Sequence, residues 1–239
     1  GAKGPRVENL LLCTLPDEKT SPDLEAELVL HTPEGTQVEI HYSITPLKTL
    51  MGASIGAVMV IQDVGESRKM IKRLSYSASH DMLTRLPNRH SFEQQLKRLV
   101  NDAAANRTQH VLVFIDLDKF KAVNDSAGHA AGDALLRELA DLMQKHLRSS
   151  DMLARLGGDE FAVLLPNSNV DQMRDVVQRI VTAVNDYTFV WQDQPYHVGA
   201  SAGITQIDRH NCISNVVMSQ ADVACYSAKH AGRGQYHVY

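Results

Sequence analysis

The segment Ala154–Leu165, "ARLGGDEFAVLL", limits the folds open to this chain more than any other, because it places a tight turn between two apolar runs. Apolar runs joined by two glycines predict a pair of adjacent antiparallel strands. Helix-like segments lie on both sides of this hairpin, so helices and strands alternate without a strict repeat. The pattern therefore predicts an α+β fold rather than a doubly wound parallel sheet.

The region from His80 to the C-terminus supplies the other elements of this fold. Their order is a helix in "NRHSFEQQLKRLVNDAAANR", a buried strand in "HVLVFIDL", a helix in "AAGDALLRELADLMQKHLRS", the hairpin, a helix in "VDQMRDVVQRIVTAVND", a strand in "YHVGASAGITQI", a helix in "ISNVVMSQADVACYSAKHAG" and a last strand in "QYHVY". We expect Gly232 to cap the last helix.

A separate N-terminal region, 1–65, reads as a small β-meander. Alternating and β-branched residues predict strands at Glu25–His31, Gln37–Ile44 and Ile55–Asp63, and "RVENLLLC" has a short helical period. The charged segment Glu66–Ser79 predicts a helical connector. Its single apolar stripe fits a coiled coil or a solvated linker helix equally well.

Composition excludes several classes of protein. The 239 residues are 44% hydrophobic, with 24 basic and 28 acidic side chains and a net charge of −4, so we expect no nucleic-acid partner. Three scattered cysteines indicate reduced thiols and a cytoplasmic catalytic region. The most apolar stretch, Ile55–Ile61, is too short to cross a bilayer, so we expect no membrane segment in this chain. From the opening "GAKG" we expect the native protein to extend upstream, so the lack of a membrane segment here does not exclude an anchor in the parent protein.

Two acidic pairs predict a metal site. Asp116 and Asp118 end an apolar strand, and Asp159 with Glu160 follows the glycines of the hairpin. Adjacent carboxylates repel each other unless a cation offsets them, and oxygen ligands with few carboxylates suit Mg²⁺ bound together with substrate phosphates. The alternatives are a bare turn and a solvated strand end neutralised by the nearby lysines.

Two further groups of polar residues suit a guanine nucleotide. Asn124 and Asp133 offer an amide and a carboxylate that match the edge of guanine, with His129 between them in sequence. Lys229 and Arg233 offer charge for phosphates. The alternatives are helix caps for Asn124 and Asp133, a structural histidine, and compensation of a helix dipole by the two cations.

Taken together, these motifs resemble one family. From His80 onward the chain resembles the GGDEF domain of diguanylate cyclases, through "HDMLTRLPNR", "FIDLDKFKAVND", "GHAAGD", "RLGGDEF" and "AKHAGRG" in family order, with Arg85 where many members have glycine. Region 1–65 resembles the C-terminal half of a PAS domain through "VENLLL", the three strands and "DVGESR", with Gly65 in place of a threonine. A generic β-meander is the alternative there.

The resemblance implies a central, mostly antiparallel sheet wrapped by helices in region 80–239. It implies that two GTP molecules are joined into cyclic di-GMP with release of two pyrophosphates, by a homodimer of facing domains and with Mg²⁺, for which Mn²⁺ can substitute. The implied roles are Asp116, Asp159 and the Leu117 carbonyl as metal ligands; Asp159 and Glu160 as catalytic residues; Asn124, His129 and Asp133 around guanine; and Lys229 and Arg233 on the terminal phosphates. Whether Asp159 itself takes the proton stays open.

Arg148 and Asp151 form an RxxD pattern in "RSSD", and five residues separate Asp151 from Gly157, which is the spacing of the family's inhibitory product site. The resemblance implies that they bind cyclic di-GMP, and the alternative is a surface ion pair worth little. Two rival functions remain beside an active cyclase. One is a catalytically silent module that senses cyclic di-GMP through this site, and the other is a scaffold that binds GTP only for partner contact.

Overall fold

The computed structural model describes residues 24–31, 37–65, 70 and 76–239, and the chain forms two compact units, Gly1–Ser75 and Tyr76–Tyr239. The predicted helix in "RVENLLLC" and most of the predicted connector, Glu66–Ser79, lie outside the described residues. The domain boundaries taken from the sequence therefore stay predictions. In the part of the chain that is described, no helix is long and apolar enough to cross a membrane.

The first unit contains a three-stranded antiparallel meander, as the alternation predicts. Its strands are β1 (Leu24–His31), β2 (Gln37–Lys48) and β3 (Ser54–Asp63), in the order β1-β2-β3. Ile40, Tyr42 and Ile44 of β2 are buried on one face of this sheet. A PAS half and a generic meander share this topology, so the PAS assignment stays a prediction.

The second unit is the α+β fold that the hairpin predicts. Its elements are α1 (Arg89–Asn106), β4 (His110–Asp118), α2 (Phe120–Ala127), α3 (His129–Gln144), β5 (Met152–Gly157), β6 (Glu160–Leu165), α4 (Val170–Asn185), β7 (Thr188–Trp191), β8 (Gln194–His197), β9 (Gly199–Ile207), α5 (Ser214–His230) and β10 (Tyr236–Val238). The main sheet has the order β10-β9-β4-β6-β5. Only the β10–β9 pair in it is parallel.

Helices cover both faces of this sheet, which explains the nearly continuous apolar run of β4. Alternate residues of β4 point to opposite faces, so Val113 and Ile115 pack with α3 and α4, whereas Leu112 and Phe114 pack with α1 and α5. A side chain at Gly203 of β9 would collide with the backbone of α5. The sheet and α5 are therefore in close contact, which fixes where the end of that helix lies.

Two local expectations were wrong, and helix α2 was not predicted. The segment "YHVGASAGITQI" holds the end of β8 and the whole of β9, and β7 and β8 form a small hairpin. Its turn residues, Gln192 and Asp193, have φ of 51° and 61° without any glycine, so the usual turn signal is missing. Helix α2 has no side-chain cap that would mark its start. Helix α5 ends at His230 with Ala231 as its cap, so Gly232 is not the cap.

Candidate functional site

The hairpin turn lies beside the end of β4, so the two acidic pairs come together. Asp116 is the cross-strand partner of Glu160, and the Leu117 N–H donates to the Asp159 carbonyl at 3.2 Å. The position of this site follows from antiparallel pairing, since the strand that ends at Asp118 runs alongside the strand that begins at Glu160. The chain therefore concentrates carboxylates at one end of the main sheet.

The turn itself is held by Arg155. Gly157 and Gly158 have φ of 147° and 52°, which glycine adopts without steric cost. The Arg155 guanidinium donates to the Gly158 carbonyl at 3.1 and 2.8 Å and to the Asp81 carboxylate at 3.1 and 3.2 Å. Burial raises the pKa of Asp81, but the hydrogen bonds from Thr84 and Arg155 outweigh it, and the net shift is downward.

A second arginine braces the same hairpin from the start of α1. The Arg89 Nε donates to the Leu156 carbonyl at 3.1 Å, and an Nη lies 3.5 Å from the Glu160 carboxylate. Burial raises the pKa of Glu160, and Arg89 offsets only part of that effect. The Glu160 side chain therefore pairs with a cation of α1, and its implied catalytic role stays a prediction.

Asp116 contacts a cation from the end of α5. Its Oδ1 lies 2.6 Å from the Lys229 Nζ. Burial raises the pKa of Asp116, with smaller contributions from Asp159 and Asp118, despite the opposing effect of Lys229. For Lys229, burial acts to lower the pKa, but the contact with Asp116 outweighs it and raises the pKa. A partly buried carboxylate beside two others is a position where an additional cation stabilises the charged form.

The oxygen donors at this end of the sheet fit Mg²⁺. Asp116, Asp159 and the Leu117 carbonyl are hard oxygen ligands of the kind that Mg²⁺ takes. The described part of the chain contains no cluster of three or more His, Cys, Asp or Glu side chains suited to a metal. Two carboxylates and one carbonyl would leave coordination positions for phosphate oxygens, as is usual for Mg²⁺ in nucleotide sites.

Asp118 has a different use from Asp116. It is 5% exposed, and it accepts hydrogen bonds from the Ser201 hydroxyl at 3.0 and 2.9 Å and from the Gly234 N–H at 3.1 Å. The Arg233 Nε lies 3.7 Å from its Oδ1. Asp118 therefore binds the loop after α5 rather than facing the hairpin turn, and it places Arg233 next to Lys229.

The structure places Asn124 in α2 and Asp133 in α3, where neither caps a helix. The N-cap residues of these helices are Lys119 and Gly128. A Cβ on Gly132 would collide with the Asn124 Oδ1, so this glycine lets the carboxamide lie against α3 next to Asp133. His129 is exposed at the first residue of α3, which is unlike a buried structural histidine. The guanine-reading roles stay predictions.

Arg148 and Asp151 form a turn rather than an ion pair. The Asp151 carboxylate accepts from the backbone N–H of Arg148 at 2.9 Å, and the Asp151 N–H donates to the Arg148 carbonyl at 3.0 Å. This turn precedes β5, at the end of the strand opposite Gly157. Among the described residues no acidic side chain pairs with the exposed Arg148 guanidinium, and the role of this turn as a product site stays a prediction.

Sequence reasoning missed three residues that organise the site: Arg155, Asn185 and Ser201. Asn185 donates to the Gly234 carbonyl at 2.8 Å and accepts from the Ala200 N–H at 3.0 Å. The signal for Arg155 is a charged residue inside an otherwise apolar strand, which requires a partner when it is buried. Ser201 and Asn185 carry no such signal, because small polar residues occur at many strand and helix ends. Their contacts depend on tertiary structure alone.

Comparison with known proteins identifies relatives of this unit. Residues 78–235 match the family described as "Diguanylate cyclase, GGDEF domain". The chain is 58% identical over 239 residues to the probable diguanylate cyclase DgcE of Escherichia coli, covering all of this chain and 21% of that protein. It is 40% identical over 163 residues to the diguanylate cyclase TpbB of Pseudomonas aeruginosa, covering 67% of this chain and 37% of that protein.

Solved structures agree with these relatives. The isolated GGDEF domain of TpbB superposes with a TM-score of 0.63 at 38% identity, covering 66% of this chain and 93% of that chain. The GGDEF domain of DgcB from Caulobacter crescentus, solved with cyclic di-GMP, gives 0.64 at 28% identity, covering 67% and 95%. The expected fold class is thus confirmed. The chain spans 21% of the length of DgcE and 37% of the length of TpbB. The chain belongs to the GGDEF diguanylate cyclase family.

Proposed function

We propose that this chain condenses two GTP molecules into cyclic di-GMP with release of two pyrophosphates, in a metal-dependent reaction. The observation that carries the proposal is the contact of 2.6 Å between Lys229 and Asp116, beside Asp159. This contact brings the carboxylates that suit a metal cation next to the basic side chains that suit phosphates. Phosphoryl transfer depends mainly on such positioning and charge neutralisation.

The side chains divide the work by chemistry. Asp116, Asp159 and the Leu117 carbonyl would hold Mg²⁺, which supplies charge stabilisation to the transferring phosphoryl group when bound. Lys229 and Arg233 would bind the terminal phosphates, and the two glycines of the turn leave room for the triphosphate next to the backbone. Asp159 would accept the proton of the attacking 3′-hydroxyl.

Base recognition follows from the neighbouring helices. The Asn124 carboxamide would hydrogen-bond to O6 or N7 of guanine, and the Asp133 carboxylate would accept from N1–H and the N2 amine. His129 lies beside them. Neither Asn124 nor Asp133 has a side-chain hydrogen bond to another described residue, so both are available for a ligand.

The reaction needs a second copy of the chain. Each chain carries one set of these residues, which would bind one nucleotide. Because each 3′-hydroxyl must attack the α-phosphate of the other nucleotide, two catalytic units would face each other. We also propose product inhibition through Arg148 and Asp151. The exposed Arg148 guanidinium has no acidic partner among the described residues, so it would make charge-assisted contacts to a phosphate or to the guanine edge.

Product analysis of the parent and of Asp159→Ala tests this function. The parent incubated with GTP and Mg²⁺ should form cyclic di-GMP, and Asp159→Ala should lose turnover without losing its fold. Asp175→Ala, which removes an exposed carboxylate of α4, is the matched control and should keep full activity. A parent chain that binds only cyclic di-GMP would be the silent sensor, and one that binds GTP without product would be the scaffold.

A further inference from the structure

The loop between α5 and β10 has an unusual backbone that invites explanation. Gly232, Arg233 and Gly234 have φ of 123°, 64° and 60°, so three consecutive residues lie in the left-handed region. An arginine rarely adopts a positive φ, and such conformations persist only where the surrounding structure enforces them. Contacts elsewhere in the fold must therefore hold this loop.

Both polar groups of the Gly234 peptide units are bound by side chains from other elements. The Gly234 N–H donates to the Asp118 Oδ2 at 3.1 Å, and the Gly234 carbonyl accepts from the Asn185 Nδ2 at 2.8 Å. Asp118 ends β4 and Asn185 ends α4, so the loop is held from two independent elements. Each bond fixes the chain one residue after Arg233.

The two side chains are themselves fixed. The Asn185 Oδ1 accepts from the Ala200 N–H at 3.0 Å, which determines the orientation of its amide. The Ser201 hydroxyl donates to both oxygens of Asp118. A Cβ on Gly199 would lie 3.0 Å from the Asn185 Oδ1 and 3.2 Å from the Asp118 Oδ2, so the absence of a side chain there leaves space for both.

We propose that Asn185 is a positioning residue for nucleotide binding, which acts with Asp118 as a clamp on Gly234 and holds Arg233 against the terminal phosphates. The clamp is defined by Asn185, Asp118 and Gly234. This inference rests on the proposed function. The Arg233 side chain is 59% exposed, and its ion pair with the Asp118 Oδ1 is long, at 3.7 Å, so its own contacts do little to fix its direction. The backbone must supply that direction.

Asn185→Asp is the direct perturbation. It keeps the oxygen that faces Ala200 but replaces the donor to Gly234 with an acceptor, so the Gly234 carbonyl would be repelled. We expect affinity for 3′-deoxy-GTP, which cannot react, to fall about tenfold or more, as expected when a charge-assisted contact is lost. GMP lacks the terminal phosphates, so the affinity of this variant for GMP should stay within about twofold of the parent's. Random error and small packing changes produce differences of that size.

Asn211→Asp provides the matched control. Asn211 also donates from its side chain to a backbone carbonyl, that of Gln206 at 2.7 Å, and to the Gln220 side chain at 2.6 Å, at the other end of β9. It should lose comparable stability in thermal unfolding without any change in the ratio of the two affinities. This separates positioning from a general loss of stability.

The decisive measurement is a double-mutant cycle read by calorimetry. Asn185→Asp should have no effect on 3′-deoxy-GTP affinity in the Arg233→Ala background, because the side chain that it positions is gone. An equal loss of affinity in both backgrounds, or an equal loss for GMP, would overturn the clamp. If the parent bound 3′-deoxy-GTP no more tightly than GMP, the phosphate contacts of the proposed function would fail instead.

Discussion

Replacing Gly132 by alanine should impair guanine recognition while leaving the fold almost unchanged. Gly132 lies within α3, and a Cβ there would collide with the Asn124 Oδ1 and come within 3.2 Å of the Phe120 Cζ. The Asn124 oxygen is the far end of a side chain, so it would move more readily than the helix backbone. The substitution therefore acts on the carboxamide that we assign to guanine.

Two opposing effects of this substitution on the free energy of unfolding should nearly cancel. Alanine is favoured over glycine inside a helix by about 1 kcal/mol. Moving Asn124 away from its preferred rotamer costs about 0.5–1.5 kcal/mol. The free energy of unfolding should therefore change by less than about 1 kcal/mol, and the Tm by no more than about 4 °C for a unit of this size.

The effect on binding should be much larger. A displaced carboxamide loses up to two hydrogen bonds to guanine, together about 1–3 kcal/mol, so affinity for 3′-deoxy-GTP should fall by about 5-fold to about 140-fold. Calorimetry with 3′-deoxy-GTP and ATP measures this loss and the accompanying fall in selectivity for guanine. Asn124→Ala is the control, since adding Gly132→Ala to it should weaken binding no further. Unchanged affinity in the single Gly132→Ala variant would refute the placement of guanine against α3.

Three other predictions concern regulation, stability and assembly. Arg148→Ala should weaken inhibition by cyclic di-GMP about ten- to a hundredfold and leave the turnover measured without added cyclic di-GMP unchanged. The control variant Arg179→Ala on α4 should alter neither quantity. Identical inhibition curves for the parent and Arg148→Ala would contradict the product site. Asp81→Asn should destabilise the protein most at neutral pH. Because the pKa of Asp81 in the folded state lies below the ordinary 3.8, its ion pair with Arg155 contributes fully above that value, and the difference in free energy of unfolding from the parent should shrink as the pH falls through the folded pKa. A difference that is constant with pH would show that the charge is unimportant. Specific activity should rise with protein concentration across the transition from monomer to dimer, as measured by initial rates beside sedimentation, and a flat profile would show that assembly does not limit the reaction.

The elements that the sequence predicted well are those with long apolar patterns. The β4 run, the hairpin around Gly157 and the long helices α3 and α4 carry periodicities that only one secondary structure satisfies. The metal-site hypothesis required Asp116 to lie near the acids of the hairpin, and the pairing of β4 with β6, which places Asp116 opposite Glu160, meets that requirement. The hairpin is a local pattern, whereas its position beside β4 is not.

The remaining geometry depends on contacts between residues far apart in sequence. The bond between Arg155 and Asp81 joins positions 74 residues apart, and the one between Gly234 and Asp118 joins positions 116 apart. No local pattern reports such partners. The β7–β8 turn was missed for a different reason, because Gln192 and Asp193 adopt positive φ where glycine would be expected. Tertiary packing overrides the usual preference there.

Simultaneous measurement of both products tests the central claim most directly. The parent chain, at a concentration that favours dimers, is incubated with GTP and Mg²⁺, and cyclic di-GMP and pyrophosphate are quantified over time. Two pyrophosphates should appear for each cyclic di-GMP, with no product from ATP or after chelation of the metal. Binding of GTP and metal without cyclic di-GMP, or release of pyrophosphate without the cyclic dinucleotide, would contradict the account.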